Sequence, residues 1–300
     1  MTSEVTYQTG FPVEGFPMQY RWQAGIWYDL FEHQIELLEY DIARAKAADD
    51  VMVFLSTPLS GRFGSHFSTN VEIADHVARR LMEDWGHRFW VLNPARYQME
   101  SKEGTGLMNR HAETLSKERG ISIDIDKLFA ESPPSGGDYM RMWTRIMVED
   151  DIDNTGRRWD AFYFVSPSDV RGFFTEGGSR TWTAGVEEYF ARKYAMDEDF
   201  RASFDPPFHD ADGNALDGDA ETAECVRRRN EFFRYYTIRG GANFSLGSHD
   251  EWNIWRLLNQ RRRASGKYGI SDQIAGYFEG RQIAPGASVV TTAPGYEVVE

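Results

Sequence analysis

The chain is predicted to be an α/β protein built on a parallel sheet covered by helices. The run Val51-Met52-Val53-Phe54-Leu55 is apolar and β-rich, and it feeds the loop Ser56–Ser65 and then a helical pattern. Two more short apolar runs, Arg88–Leu92 and Asp160–Val165, alternate with helical patterns through residues 51–195. Such alternation marks βαβ units rather than hairpins. With 300 residues, 41% hydrophobic and 14% aromatic, the chain can bury the core that a sheet of this kind needs.

Each element follows from local pattern. Residues 1–20 hold Gly10, Pro12, Gly15 and Pro17 among aromatics, which predicts an irregular arm. From Ile26 to Ala47, Trp27, Leu30, Phe31, Ile35, Leu38, Ile42 and Ala45 form one face of an amphipathic helix. A second helix is expected over Asn70–Trp85, with Val71, Ala74, Val77 and Leu81 inward. Asn93-Pro94 closes the next strand, and residues 95–137, broken by glycines and prolines, lack a sustained period. Asp138 is expected to cap a helix over Tyr139–Glu149. The third strand ends at Ser166-Pro167-Ser168-Asp169, and a helix follows over Ala184–Tyr194.

Asp205–Glu221 is acidic and turn-rich, a linker or surface loop. Helices are expected over Glu221–Ile238 and Asp250–Ala264, and the last twenty residues, with Pro285, Gly286 and Pro294, read as an extended tail. The expectation is an arm and helix over 1–49, an α/β core over 50–200 and a helical extension over 201–300, packed as one body.

Composition removes several function classes. A formal charge of −14 argues against a nucleic-acid partner, since phosphate contacts need a basic face. The single Cys225 leaves no internal disulfide and fits a reducing compartment. No signal sequence and no apolar run near the ~20 residues of a membrane span is visible, so a soluble cytoplasmic protein without membrane contact is expected.

Motif tests narrow the chemistry further. There is no Gly-x-x-x-x-Gly-Lys-Ser/Thr loop, no Gly-x-Gly-x-x-Gly after a strand and no Gly-x-Ser-x-Gly elbow. The seven histidines form no ligand spacing, so neither a metal nor a cofactor is expected. Asp210-Ala211-Asp212-Gly213-Asn214 has its glycine too early for a calcium loop and reads as a turn. Arg227–Arg229 and Arg261–Arg263 read as solvated helix faces or helix-end charges.

What remains is a set of carboxylates and loops: Ser56–Ser65 after the first strand, Asp138 at a helix start, Ser166–Asp169 after another strand, and Gly185-Val186-Glu187 opening a helix. In a parallel sheet, loops that follow strands gather at the carboxyl edge, where ligands bind. A glutamate in the first turn of a helix there is favoured in its ionised, nucleophilic form.

The order Ser-Thr-Pro-Leu-Ser-Gly-Arg, the Asp138 helix, Trp159-Asp160-Ala161-Phe162-Tyr163-Phe164, Ser166-Pro167-Ser168 and Gly185-x-Glu187 resembles the nucleoside 2-deoxyribosyltransferase superfamily, which includes nucleoside 5'-monophosphate N-glycosidases. The resemblance covers roughly residues 50–195 and implies a doubly wound sheet, Rossmann-like or flavodoxin-like, with helices added at both ends. It implies cleavage of an N-glycosidic bond of a nucleoside or nucleoside 5'-monophosphate, with transfer of the sugar to water or to another base.

Carried over by position, Glu187 would attack the anomeric carbon, and Asp138 or Asp169 would orient the sugar or protonate the base. Ser60, Gly61, Arg62 and Ser168 would hold a phosphate or sugar edge, with Ser56, Pro58, Ser166 and Gly185 completing the substrate-binding set. Arg62 favours a phosphorylated substrate, because a guanidinium matches phosphate bidentately. A homo-oligomer is implied by the resemblance alone.

A different class of function is a nucleotide-sensing or interaction module that binds without chemistry, with the aromatic-rich flanks as its partner surface. The alternative locus for a site is Gly240–Glu251, where Asn243, Ser245, Ser248, His249, Asp250 and Glu251 cluster; the plainer reading of that stretch is a loop capping the helix near Asp250.

Overall fold

The computed structural model describes residues 6–61, 64–86, 88–150, 152–210, 212–284 and 292–299. The N-terminal arm pairs β1 (Tyr7–Gly10) with β2 (Tyr20–Gln23) in an antiparallel ribbon. Then come α1 (Ile26–Ala47), β3 (Val51–Ser56), α2 (Phe67–Trp85) and β4 (Phe89–Leu92). Next are α3 (Lys102–Arg119), α4 (Ile125–Glu131), α5 (Gly136–Val148) and β5 (Ala161–Phe164). They are followed by α6 (Pro167–Thr175), α7 (Trp182–Met196), α8 (Glu198–Ala202) and α9 (Gly218–Arg234). The chain closes with α10 (Leu246–Ser265), β6 (Ala275–Phe278) and β7 (Arg281–Gln282).

The main sheet has the order β4-β3-β5-β6-β7, with β7 alone antiparallel. From β3 the chain moves to β4 on one side, then crosses to β5 on the other. The sheet is buried on both faces, so its strands are nearly continuous apolar runs. Met52, Phe54, Phe162 and Phe164 pack with α1, α5 and α10, while Val53, Leu55, Tyr163 and Val165 pack with α2, α6, α7 and α9. On the first face Phe54 meets Trp143, Trp159 and Phe162 at ring-centroid distances of 5.9, 5.6 and 5.1 Å.

Several expectations change. The excursion over 95–137 contains α3 and α4; its glycines at 104 and 106 obscure the stripe Met108, Ala112, Leu115 that buries α3. Ser166 does not end a strand in a loop but caps α6, a helix absent from the sequence reading. The helical extension over 201–300 also supplies β6 and β7, so this segment completes the sheet. β6, Ala-Gly-Tyr-Phe, is too short and too small at its start to announce itself as a strand. Of the expected tail, residues 285–291 lie outside the described residues, and 292–299 return to the body of the fold.

Phe54 is fully buried. Phe54→Ala is expected to lower unfolding free energy by about 3–5 kcal/mol in a urea titration, through lost burial and a residual cavity.

Candidate functional site

Ser56, the last residue of β3, is buried, and the chain leaves the sheet through Thr57 towards Ser60 and Gly61. Opposite stand the first two turns of α10. Ser245 caps that helix by accepting from Ser248 N–H at 3.4 Å. The buried stripe of α10 runs through Glu251, Ile254, Trp255, Leu258 and Arg262, so a glutamate occupies a core-facing position one turn above apolar residues. Ser56 Oγ donates to Glu251 Oε2 at 2.5 Å. Beside this contact lies a cavity of about 510 Å³ walled by Thr57, Ser60, Gly61, Glu100, Tyr139, Trp143, Ser245, Ser248, Glu251 and Tyr296.

The electrostatics of the cavity are set by burial. Burial first, and then the neighbouring Asp250, raise the Glu251 pKa to about 8, with the Ser56 hydroxyl opposing them. Glu251 therefore carries a proton at neutral pH. Glu100 as a residue is exposed, but its carboxyl sits against Tyr139, whose hydroxyl donates to it at 3.2 Å. Desolvation raises the Glu100 pKa and the Tyr139 hydroxyl works against the rise. Two carboxyls thus face one cavity, both shifted towards the protonated form.

Two buried hydroxyls on the same wall, Thr57 Oγ1 and Ser248 Oγ, have no hydrogen-bond partner among the described residues. Ser248 is near enough to Glu251 to favour its ionised form, yet the two do not meet in bonding geometry. A buried hydroxyl without a partner costs about 1–3 kcal/mol, so this wall gains from a polar ligand.

The C-terminal segment forms the remaining wall. Gly295 and Tyr296 donate their N–H groups to Asp250 Oδ1 and Oδ2 at 2.8 and 2.7 Å. Asn253 and Thr292 exchange bonds of 3.1 and 3.4 Å. This clamp lays the Tyr296 ring on Gly136, where any Cβ would stand 2.2 Å from ring atom Cε1. Burial raises the Asp250 pKa to about 6 despite those N–H donors.

The expected carboxylates are not gathered here. α7 begins at Trp182, two residues before the sequence reading placed it, so Glu187 falls in the second turn. It is exposed there, beyond the first turn where the helix field acts, and it does not line the cavity. Gly185 has a packing reason: a Cβ on it would meet Phe174 O at 2.1 Å, where α7 crosses α6.

Asp138 is not the cap of α5 but the third residue inside it, since Ser135 caps the helix. Its Oδ1 accepts from Gln23 N–H at 2.7 Å and its Oδ2 from Ser135 N–H and Oγ at 2.7 and 2.6 Å. Asp169 is committed in the same way, to Ser166 N–H and Oγ at 2.8 and 2.7 Å, Tyr163 at 2.8 Å and Arg80 at 2.5 Å. Ser168 and Ser166 share a bond of 2.8 Å beside that cap.

Of the expected binding residues, Ser60 and Gly61 line the cavity. Ser56 reaches it through Glu251, and Pro58 is buried and does not line it. Arg62 lies outside the described residues. The partner of the first loop is thus the Gly240–Glu251 stretch, and Ser245 both caps α10 and lines the site. A glutamate interrupting the apolar stripe at 254, 255 and 258 is the sequence signal for it.

Compared with known protein families, with curated proteins and with solved structures, the chain has no match. Among the described residues no group of three His, Cys, Asp or Glu side chains is placed to hold a metal ion. No described helix is long and apolar enough to cross a membrane.

Asp138→Ala removes half of a capping box and leaves the Gln23 N–H without an acceptor. A loss of about 2–4 kcal/mol in unfolding free energy is expected, against a change within about 0.5 kcal/mol for the exposed Glu187→Gln, both by chemical denaturation.

Proposed function

We propose that the chain binds a nucleoside-type ligand in the cavity beside β3 and cleaves its N-glycosidic bond by acid catalysis, passing the sugar to water or to another base. The observation that carries this reading is Glu251: a carboxyl buried against Ser56, its pKa raised by that burial to about 8, on a wall that is part hydroxyl and part aromatic. The finer reading of the fold belongs with it. The order β4-β3-β5-β6 with helices on both faces supports a doubly wound, flavodoxin-like reading, in which the ligand crevice opens where the strand order reverses, here between β3 and β5.

An N-glycosidic bond breaks as its electron pair leaves with the base and positive charge builds at the anomeric carbon. Glu251 gives its proton to the departing base, and a pKa near the working pH suits that transfer. Glu100, when ionised, faces the developing oxocarbenium charge, in the manner of paired carboxyls in glycosidases. Water or an acceptor base then adds to the sugar, and the Glu251 carboxylate takes the proton that water releases. Thr57 and Ser248 are placed for sugar hydroxyls, and Tyr139, Trp143 and Tyr296 for the face of a base.

Base release from nucleosides, followed by chromatography, checks this. Glu251→Gln is expected to lower kcat/KM by on the order of 10²–10⁴-fold. Wild-type activity is expected to fall as pH rises through about 8, because the acid must hold its proton. Full activity in Glu251→Gln, or loss of activity in Glu187→Gln alone, would overturn the assignment.

A further inference from the structure

A second cavity, of about 850 Å³, opens at the opposite edge of the sheet, where Trp159 and Asp160 lead into β5 and Ala275 begins β6. Its lining holds Arg157, Arg262, Arg263 and Lys267 against the carboxylates Asp160 and Asp272. In a chain of formal charge −14, that excess of cations runs against the composition. The carboxylates are already engaged: Asp160 accepts from Met52 N–H and Asp272 from Gly269 N–H, each at 2.8 Å.

Arg262 is buried and held rigidly. The carbonyls of Thr155, Gly156 and Asp272 accept from it at 3.0, 2.8 and 2.7 Å, which uses three of its five N–H groups. Asp150, Asp153 and Asp160 favour its charge from a distance, but burial outweighs them. Among the described residues Arg262 stands in no ion pair, and neither do Arg157 and Lys267. A buried guanidinium without a carboxylate partner is costly, and an anion in the cavity relieves that cost. The Tyr268 ring lies 5.8 Å from Arg157 and 5.4 Å from Arg262, which gives the cations an aromatic wall.

We propose that this cavity is an anion site for a phosphorylated small molecule of nucleotide size. Planar guanidinium groups match phosphate oxygens, and the exposed Arg157 and Lys267 at the rim supply further donors. The site is independent of the nucleoside cavity, since the two open at opposite ends of the strands.

Calorimetric titration of the full chain with AMP, and separately with adenosine, tests this. Wild type is expected to bind AMP. The double variant Arg157→Ala/Lys267→Ala, changed only at exposed residues, is expected to bind AMP at least about tenfold more weakly, with adenosine binding the same in both proteins. Glu251→Gln is expected to bind AMP as wild type does. No AMP binding at millimolar concentration, equal AMP affinity in wild type and the double variant, or a parallel loss for AMP and adenosine would each overturn the proposal.

Discussion

The hydrogen bond from Ser56 at the end of β3 to Glu251 in α10 joins the sheet's carboxyl edge to the chain's last long helix. The contact is buried, and Glu251 keeps its proton there because an ionised carboxylate would be poorly solvated. This protonation couples the site to stability. The folded pKa, about 8, lies above the ordinary 4.5, so between those values the folded chain holds a proton that the unfolded chain releases. The stability that depends on it is complete below about pH 4.5 and is lost as pH rises through about 8. Asp250 acts in the same direction over a lower window, up to about pH 6, while it anchors the C-terminal wall.

β3, the helices α1 and α2 on either side of it, and β5 were legible because each is a continuous apolar run or a clean helical stripe between turn residues. α1 coincides with its predicted bounds, Ile26–Ala47. β6 was not legible: its Gly276 packs under Trp255, a close approach visible only in three dimensions. Ser60 and Gly61, expected from the strand-loop-helix pattern to hold a ligand, line the cavity beside β3. Gly185-Val186-Glu187, which motif order set opposite that loop, does not line the cavity. The glycine there serves helix packing and the glutamate meets solvent. Glu251 stood in the alternative stretch, and its place on the apolar stripe of α10 was the missing clue.

The two edges of the sheet differ in chemistry, and α10 serves both. Glu251 near its start faces a cavity of carboxyls, hydroxyls and rings, while Arg262 near its end faces a cationic one. Both sit on the buried stripe of the same helix, held by opposite means: a hydroxyl donor for the acid, backbone carbonyls for the guanidinium. Arg262 lies in the last turn of α10, where the helix dipole favours a cation, whereas Glu251, six residues in and protonated, lies beyond the reach of that field.

The most direct measurement is the titration of Glu251 itself, by the carboxyl stretch in difference infrared spectra of wild type against Glu251→Gln. The account requires a protonated carboxyl band assigned to Glu251 that persists at pH 7 and disappears around pH 8. A Glu251 that ionises at the ordinary glutamate value near 4.5 would contradict it.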